Sequence, residues 1–179
     1  MKVVVIGSSA GGPDVLKKLF SKLNSVGSPI VVAQHNISSN AEDFARWLSQ
    51  HTSLKISLVS GPETLKPSTV YLTSGKGDLY FPSKETVSIK KSSSLVSPSI
   101  DVLFESAAEV FKNDTIGIIL SGLGRDGARG VRRILEEGGR VIVQKDAKFS
   151  YLPNFVESEN EGVIKRSLDE IALMLMALL

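Results

Sequence analysis

Val3-Val4-Val5-Ile6-Gly7-Ser8-Ser9-Ala10-Gly11-Gly12-Pro13 joins four consecutive apolar residues to a glycine-rich turn and a proline. That order spells strand, tight turn and helix. The apolar run suits a strand covered on both faces, and Pro13 suits a first helical turn, where its missing N–H would have no partner anyway. Gly7-Ser8-Ser9-Ala10-Gly11 fits Gly-x-Ser-x-Gly with Ser9 in the middle, the spacing that lifts a serine hydroxyl onto a strained turn at a sheet edge. Gly7 and Gly11 admit backbone angles closed to a residue with a Cβ. The free N–H groups of the helix that follows would face Ser9, a favourable place for developing negative charge. A turn of this kind also cradles phosphate in many α/β domains, so the motif by itself leaves nucleophile, phosphate site and plain tight turn open.

Downstream, Val15, Leu16, Leu19, Phe20 and Leu23 recur at helical spacing, and Ile30-Val31-Val32-Ala33 reads as a second buried strand ending at Gln34-His35. A helix with Phe44, Ala45 and Leu48 on one side and a strand over 55–59 come next. Between Gly61 and Ser94, the short β-rich segments Val70-Tyr71-Leu72, Asp78-Leu79-Tyr80-Phe81 and Val87-Ser88-Ile89 predict an antiparallel hairpin insertion. A helix starting near Ser97-Pro98-Ser99 carries Ile100, Leu103, Phe104, Ala107, Ala108 and Phe111 on a broad apolar face. Ile116-Gly117-Ile118-Ile119-Leu120 reads as a buried strand running into Ser121-Gly122-Leu123-Gly124-Arg125-Asp126-Gly127, and the next helix stops at Gly138-Gly139. Arg140 to Gln144 is another strand and 145–162 a long loop. Ser167-Leu168-Asp169-Glu170 opens the last helix with a capping box, and its Met174 and Met176 read as core fillers. Strands alternating with helices predict an α/β fold, a doubly wound and mainly parallel sheet flanked by helices, whose ligands bind outside the C-terminal strand ends.

With 179 residues, 42% of them hydrophobic, the chain can bury one substantial core, and a single domain over 1–179 is expected. There is no cysteine, which excludes disulfides and thiolate metal sites and fits a cytoplasmic setting. No apolar stretch approaches membrane-spanning length. The net charge of +2 is spread along the chain, so neither nucleic acid nor membrane insertion is implied.

Ser9, His35 and Asp126 each lie just past the C-terminal end of a predicted parallel strand, so one sheet edge would carry all three. Serine is a poor nucleophile without a base, histidine can take and return a proton, and a carboxylate can fix the tautomer of the imidazole. The alternative is that His35 is a satisfied strand-end residue and Asp126 a helix cap. His51 is expected at the surface, and Asp14 and Asp101 in first helical turns where a carboxylate favours the dipole.

Taken together, Ile6-Gly7-Ser8-Ser9-Ala10-Gly11-Gly12-Pro13, Val32-Ala33-Gln34-His35, Val70-Tyr71-Leu72, Pro98-Ser99-Ile100-Asp101-Val102-Leu103-Phe104 and Gly117 to Ala128 resemble a known family. It is the catalytic domain of chemotaxis-specific protein-glutamate methylesterases, the CheB type, and the likeness covers nearly the whole chain. The resemblance implies Ser9 as nucleophile, His35 as general base and Asp126 as its orienting carboxylate, with the backbone N–H groups of Leu123 and Ala10 at the oxyanion. Arg125, with Gly11 and Gly12, is the expected substrate contact. The implied chemistry is hydrolysis of γ-glutamyl methyl esters, and deamidation of glutamines, on the cytoplasmic domain of methyl-accepting chemotaxis receptors, with neither metal nor organic cofactor. The competing function is a non-catalytic module of the same fold that binds a phosphate or a receptor peptide at this edge.

Departures from the family pattern are Ser8 and Ala10 where Ala and Thr are usual, Asn36-Ile37 in place of Met-Pro, and Val96-Ser97 where an Arg is common. Tyr151-Leu152-Pro153 replaces a Gly-Met-Pro stretch. The phosphorylation-controlled receiver domain that typically precedes this domain is not expected within 1–179. That leaves a stand-alone member, with a separate regulatory protein as partner, or a piece of a longer chain.

Overall fold

The computed structural model describes residues 1–92 and 94–178. In chain order the elements are β1 (Val3–Ser8), α1 (Gly12–Ser21), β2 (Ile30–Gln34), α2 (Ala41–Ser49), β3 (Lys55–Val59), β4 (Glu63–Thr64), β5 (Thr69–Thr73), β6 (Asp78–Ser83) and β7 (Thr86–Lys90). They continue with α3 (Ile100–Phe111), β8 (Thr115–Ile119), α4 (Ala128–Glu136), β9 (Arg140–Gln144), α5 (Tyr151–Glu159), β10 (Ile164–Arg166) and α6 (Leu168–Met176).

Seven strands form one sheet in the order β10-β9-β8-β1-β2-β5-β3, and every pairing in it is parallel. The alternation of side chains along a strand sorts the core into two layers. Val4 and Ile6 of β1 join Leu16, Leu19 and Phe20 of α1, Leu48 of α2 and Ile171 of α6 on one face. Val3 and Val5 join Leu103 and Phe104 of α3, Ile134 of α4 and Val156 of α5 on the other. The winding reverses at β1, whose two neighbours are β2 and β8, and the crevice at such a reversal is where open α/β sheets bind ligands. The expected doubly wound architecture is therefore present.

Three local expectations need correction. Val70-Tyr71-Leu72 belongs to β5, inside the parallel sheet between β2 and β3, and not to the antiparallel insertion. All five β5 residues are buried, as a strand covered on both faces must be. The antiparallel unit is the small sheet β4-β7-β6. The stretch 145–162 is not one long loop but contains α5, which buries Leu152, Pro153 and Val156. Pro153 sits in its first turn, where a proline costs no helical hydrogen bond. Met174 packs against the core, whereas Met176 is exposed. The capping box at Ser167 and Glu170 is formed, each side chain bonded to the other residue's N–H.

Candidate active site

β1, β2 and β8 end at the same edge, and register decides what they present there. Ser8 pairs with Gln34 at the last register position of β1 and β2, so Ser9 and His35 are the residues that follow two adjacent strands. The N–H of His35 donates to the Ser8 carbonyl at 3.0 Å. From the loop after β8, Asp126 reaches across so that its Oδ2 lies 2.7 Å from His35 Nε2. Both side chains are largely buried, which strengthens a bond between them. Nε2 is engaged with the carboxylate, and Nδ1 has no hydrogen-bond partner among the described residues.

Neutral groups hold the serine turn. Gly11 adopts φ 75, a left-handed conformation open to glycine, and stands just before α1 as its N-cap; Gly7, by contrast, lies within β1. Gln34, buried at the end of β2, donates from Nε2 to the Ser9 carbonyl at 2.9 Å and to the His35 carbonyl at 3.1 Å, while its Oε1 accepts from Ser8 Oγ. One amide thus fixes the separation of the serine and histidine backbones. On the other side, the N–H of Ser9 donates to the Ser121 carbonyl at 3.0 Å, and Ser121 Oγ donates to the Ala10 carbonyl at 2.8 Å. Ser121 is in turn held by Gln144, whose Oε1 accepts its N–H at 3.1 Å. The N–H groups of Ala10 and Leu123 donate to nothing among the described residues, although the N–H of Gly122 between Ser121 and Leu123 is bonded to Phe149. Both donors belong to turns next to the serine: Ala10 follows Ser9, and Leu123 follows Gly122, which packs against Ser9.

Charged groups hold the other side. Asp126 accepts the N–H of Ile100 at 2.7 Å and that of Asp101 at 3.0 Å, so it caps α3 as well as bonding His35. Burial pushes its carboxyl up, but the bonds from His35, Ile100 and Asp101 outweigh that and hold it below its ordinary value. Asp126 therefore stays ionised, as an acceptor for an imidazole must. Capping and pairing with His35 are compatible: Oδ2 takes His35 and the N–H of Ile100, Oδ1 takes the N–H of Asp101, and the helix capped is α3 rather than its own.

Arg125 donates from Nε to the Tyr151 hydroxyl at 3.0 Å, and its guanidinium lies 5.0 Å from the centre of the Phe155 ring. It lines a groove of about 450 Å³ together with Asp101, Asp126 and Arg129. Gly11 faces a different hollow, beside Lys18 and Lys148, and Gly12 is buried with its N–H bonded to the Ser9 carbonyl. Leu123 is 52% exposed at the rim. His51 lies away from this edge, packed against the Trp47 ring. Gln34, Ser121 and Gln144 carry structural work that sequence reading missed. Their signal was available: each is a polar residue at or just past the C-terminal end of a parallel strand, at the edge where ligands bind.

Comparisons with known proteins concern the sequence and the fold as a whole. A family model described as CheB methylesterase matches residues 4–175. A Methanospirillum hungatei protein named protein-glutamate methylesterase/protein-glutamine glutaminase 2 is 34% identical over 99% of this chain and 52% of its own length. Myxococcus xanthus has a protein-glutamate methylesterase, FrzG, that is 34% identical over 81% of this chain and 44% of its own. This chain spans about half the length of those relatives, whereas a Leptospira interrogans relative, 33% identical, is covered over 94% of its length. The crystal structure of the Thermotoga maritima CheB methylesterase catalytic domain superposes with a TM-score of 0.88 at 30% identity, covering 99% of this chain and 98% of that one. With a family model matched over residues 4–175 and a fold shared along nearly the whole length, the chain belongs to the CheB methylesterase family.

Proposed function

We propose that this chain hydrolyses γ-glutamyl methyl esters on the cytoplasmic helical domain of chemoreceptors, and deamidates glutamines there by the same acyl chemistry. Residues 1–179 act as one catalytic unit. Ser9 Oγ attacks the side-chain carbonyl while its proton passes to His35 Nδ1, and Asp126 stabilises the imidazolium that forms. The carbonyl oxygen becomes an oxyanion facing the N–H groups of Leu123 and Ala10. Collapse expels methanol, protonated by His35, or ammonia from a glutamine. Water then adds to the acyl-enzyme, gives its proton to His35, and releases glutamate with Ser9 restored. The observation that carries this assignment is the 2.7 Å bond between His35 Nε2 and Asp126, because it engages one ring nitrogen with a carboxylate and leaves Nδ1 without a partner among the described residues, on a residue that follows the strand next to the serine turn. Groups within the groove, Arg125 first among them, would meet acidic residues of the receptor helix.

The test is methanol release from a methyl-esterified receptor fragment, together with labelling of Ser9 by a fluorophosphonate. Ser9→Ala should fold normally and lose nearly all of both, because the side chain is small and the turn is held by its backbone. Native methanol release from that variant would remove Ser9 as the nucleophile and restore the binding-module alternative.

A further inference from the structure

Asp101 and Asp126 cap each other's helices. Asp126, ahead of α4, accepts the N–H groups of Ile100 and Asp101 at the start of α3. Asp101, at the start of α3, accepts with Oδ1 the N–H of Gly127 at 3.1 Å and of Gly130 at 2.8 Å, at the start of α4. Those donors are among the four that an α-helix leaves without internal partners, so each bond is one the helix end needs. The exchange requires α3 and α4 to approach closely, and Gly130 permits it: a Cβ there would lie 2.6 Å from Phe104 Cβ. The loop between β8 and α4, which carries Leu123 and Asp126, is consequently pinned at its far end by Asp101.

We infer that Asp101 is a positioning residue for this site, holding Asp126 against His35 and the Leu123 loop beside Ser9 through the reciprocal caps of α3 and α4. It makes no hydrogen bond to Ser9 or His35 and acts on them through Asp126. The inference rests on the triad assignment above and adds a residue to it. Asp101 is also electrically coupled to the pair. Facing it are Asp126 and, beyond Asp126, His35; Arg129 from α4, with Nη2 3.9 Å from Oδ2; Glu105 from α3, bonded to the same Arg129; and Arg125 on the loop. Burial pushes its carboxyl up to about 6, the N–H of Gly130 opposes that rise, and the negative charge of Asp126 adds to it. When protonated, Asp101 adds no charge beside the carboxylate that His35 needs. When ionised, it adds negative potential that favours an imidazolium.

The experiment is the rate of fluorophosphonate labelling of Ser9 as a function of pH in Asp101→Ala, Asp101→Asn and Asp126→Ala. Asp101→Ala frees both α4 donors and should slow labelling by on the order of 10²-fold, the scale of a displacement of about 1 Å in a site. Asp101→Asn keeps an oxygen for Gly127 and Gly130 and should recover labelling to within about tenfold of native. Its acidic limb should follow one ionisation where the native protein follows two, a change that a purely structural residue would not make. If Asp101→Ala fails to fold, the Asp101→Asn profile decides alone: an unchanged two-step limb overturns the inference. Loss of labelling in Asp126→Ala beside native labelling in Asp101→Ala also overturns it, while leaving the triad intact. Native labelling in Asp126→Ala removes the triad assignment and the inference with it.

Discussion

The two flanks of Ser9 are anchored by different kinds of group. On the β2 flank and beneath the serine turn, Gln34, Ser121 and Gln144 hold the backbone with neutral dipoles, none of which titrates near neutral pH. Where α3 meets α4, Asp101 and Asp126 face Arg129 and His35, and the bonds there change with proton binding. Both satisfy helix or strand ends, but Gln34, Ser121 and Gln144 are buried, whereas Asp101 and Asp126 are partly buried beside a groove where ionised groups keep part of their hydration. The difference also suits what each flank must do. A nucleophile's backbone has only to stay in place, and fixed dipoles do that at every pH. The group behind a general base must carry a charge when the base becomes an imidazolium, and carboxylates supply it.

The largest effect expected from breaking the charged flank comes from Asp126→Asn. The carboxylate serves His35 and Ile100 with one oxygen and Asp101 with the other. An amide offers one acceptor, so either His35 or the start of α3 meets an NH2 group. Turnover should fall by roughly 10⁴, as when a triad aspartate becomes asparagine, and unfolding free energy by about 1–3 kcal/mol for the unsatisfied cap. Turnover and urea denaturation of the same preparation check both. A silent variant would mean that the 2.7 Å bond has no catalytic use. Because the folded Asp126 lies below its ordinary value, the stability it supplies is present above the ordinary carboxylate range and is lost only as pH falls through its depressed folded value.

Breaking the neutral flank should cost less and look different. Gln34→Leu keeps much of the volume but removes the donors to the Ser9 and His35 carbonyls and the acceptor for Ser8 Oγ. Displacement of the serine turn by a fraction of an ångström is expected to cost on the order of 10²-fold in turnover, by the same factor at pH 6 and pH 8. Methanol release at the two pH values checks this. A loss confined to one of them would show that the neutral flank takes part in proton handling after all.

How much of this was legible in the sequence follows the same division. The parallel sheet, the serine turn and the strand-end placement of Ser9, His35 and Asp126 could be read because apolar runs, glycines and chemistry-bearing residues carry local signals. β5 was misread because Val70-Tyr71-Leu72 is too short to distinguish a parallel strand from a hairpin strand by periodicity alone. α5 was missed because Pro153 and several acidic residues mask an amphipathic turn that only packing reveals. Asp101 was read as serving its own helix, since a carboxylate in a first turn usually does so. Its partners on α4 lie 26 and 29 residues away, and no local pattern points to them. Arg125 was legible as a charge beside the site but not as one tied to Tyr151 and Phe155.

The smallest expected effect is the sharpest test of the comparison. Asp101 binds its proton more tightly folded than unfolded, its carboxyl rising from the ordinary 3.8 to about 6, chiefly through burial. A raised folded value contributes stability that is full below about pH 4, where both states are protonated, and that is lost as pH rises through 6. At pH 7 the ionised group therefore weakens the fold, even while its Oδ1 caps α4. Asp101→Asn keeps that acceptor and removes the ionisation, so it should be more stable than the native protein at pH 7 by about 1–3 kcal/mol. The gain should shrink toward nothing as pH falls to about 4. Urea denaturation at pH 4, 5, 6 and 7 measures it, and an offset equal at every pH would refute the coupling. Gln34→Leu should show no such convergence, because nothing it removes titrates in that range. A variant that is more stable at neutral pH yet labels more slowly would show that the charge at Asp101 is retained for the chemistry of its neighbour and against the stability of the fold.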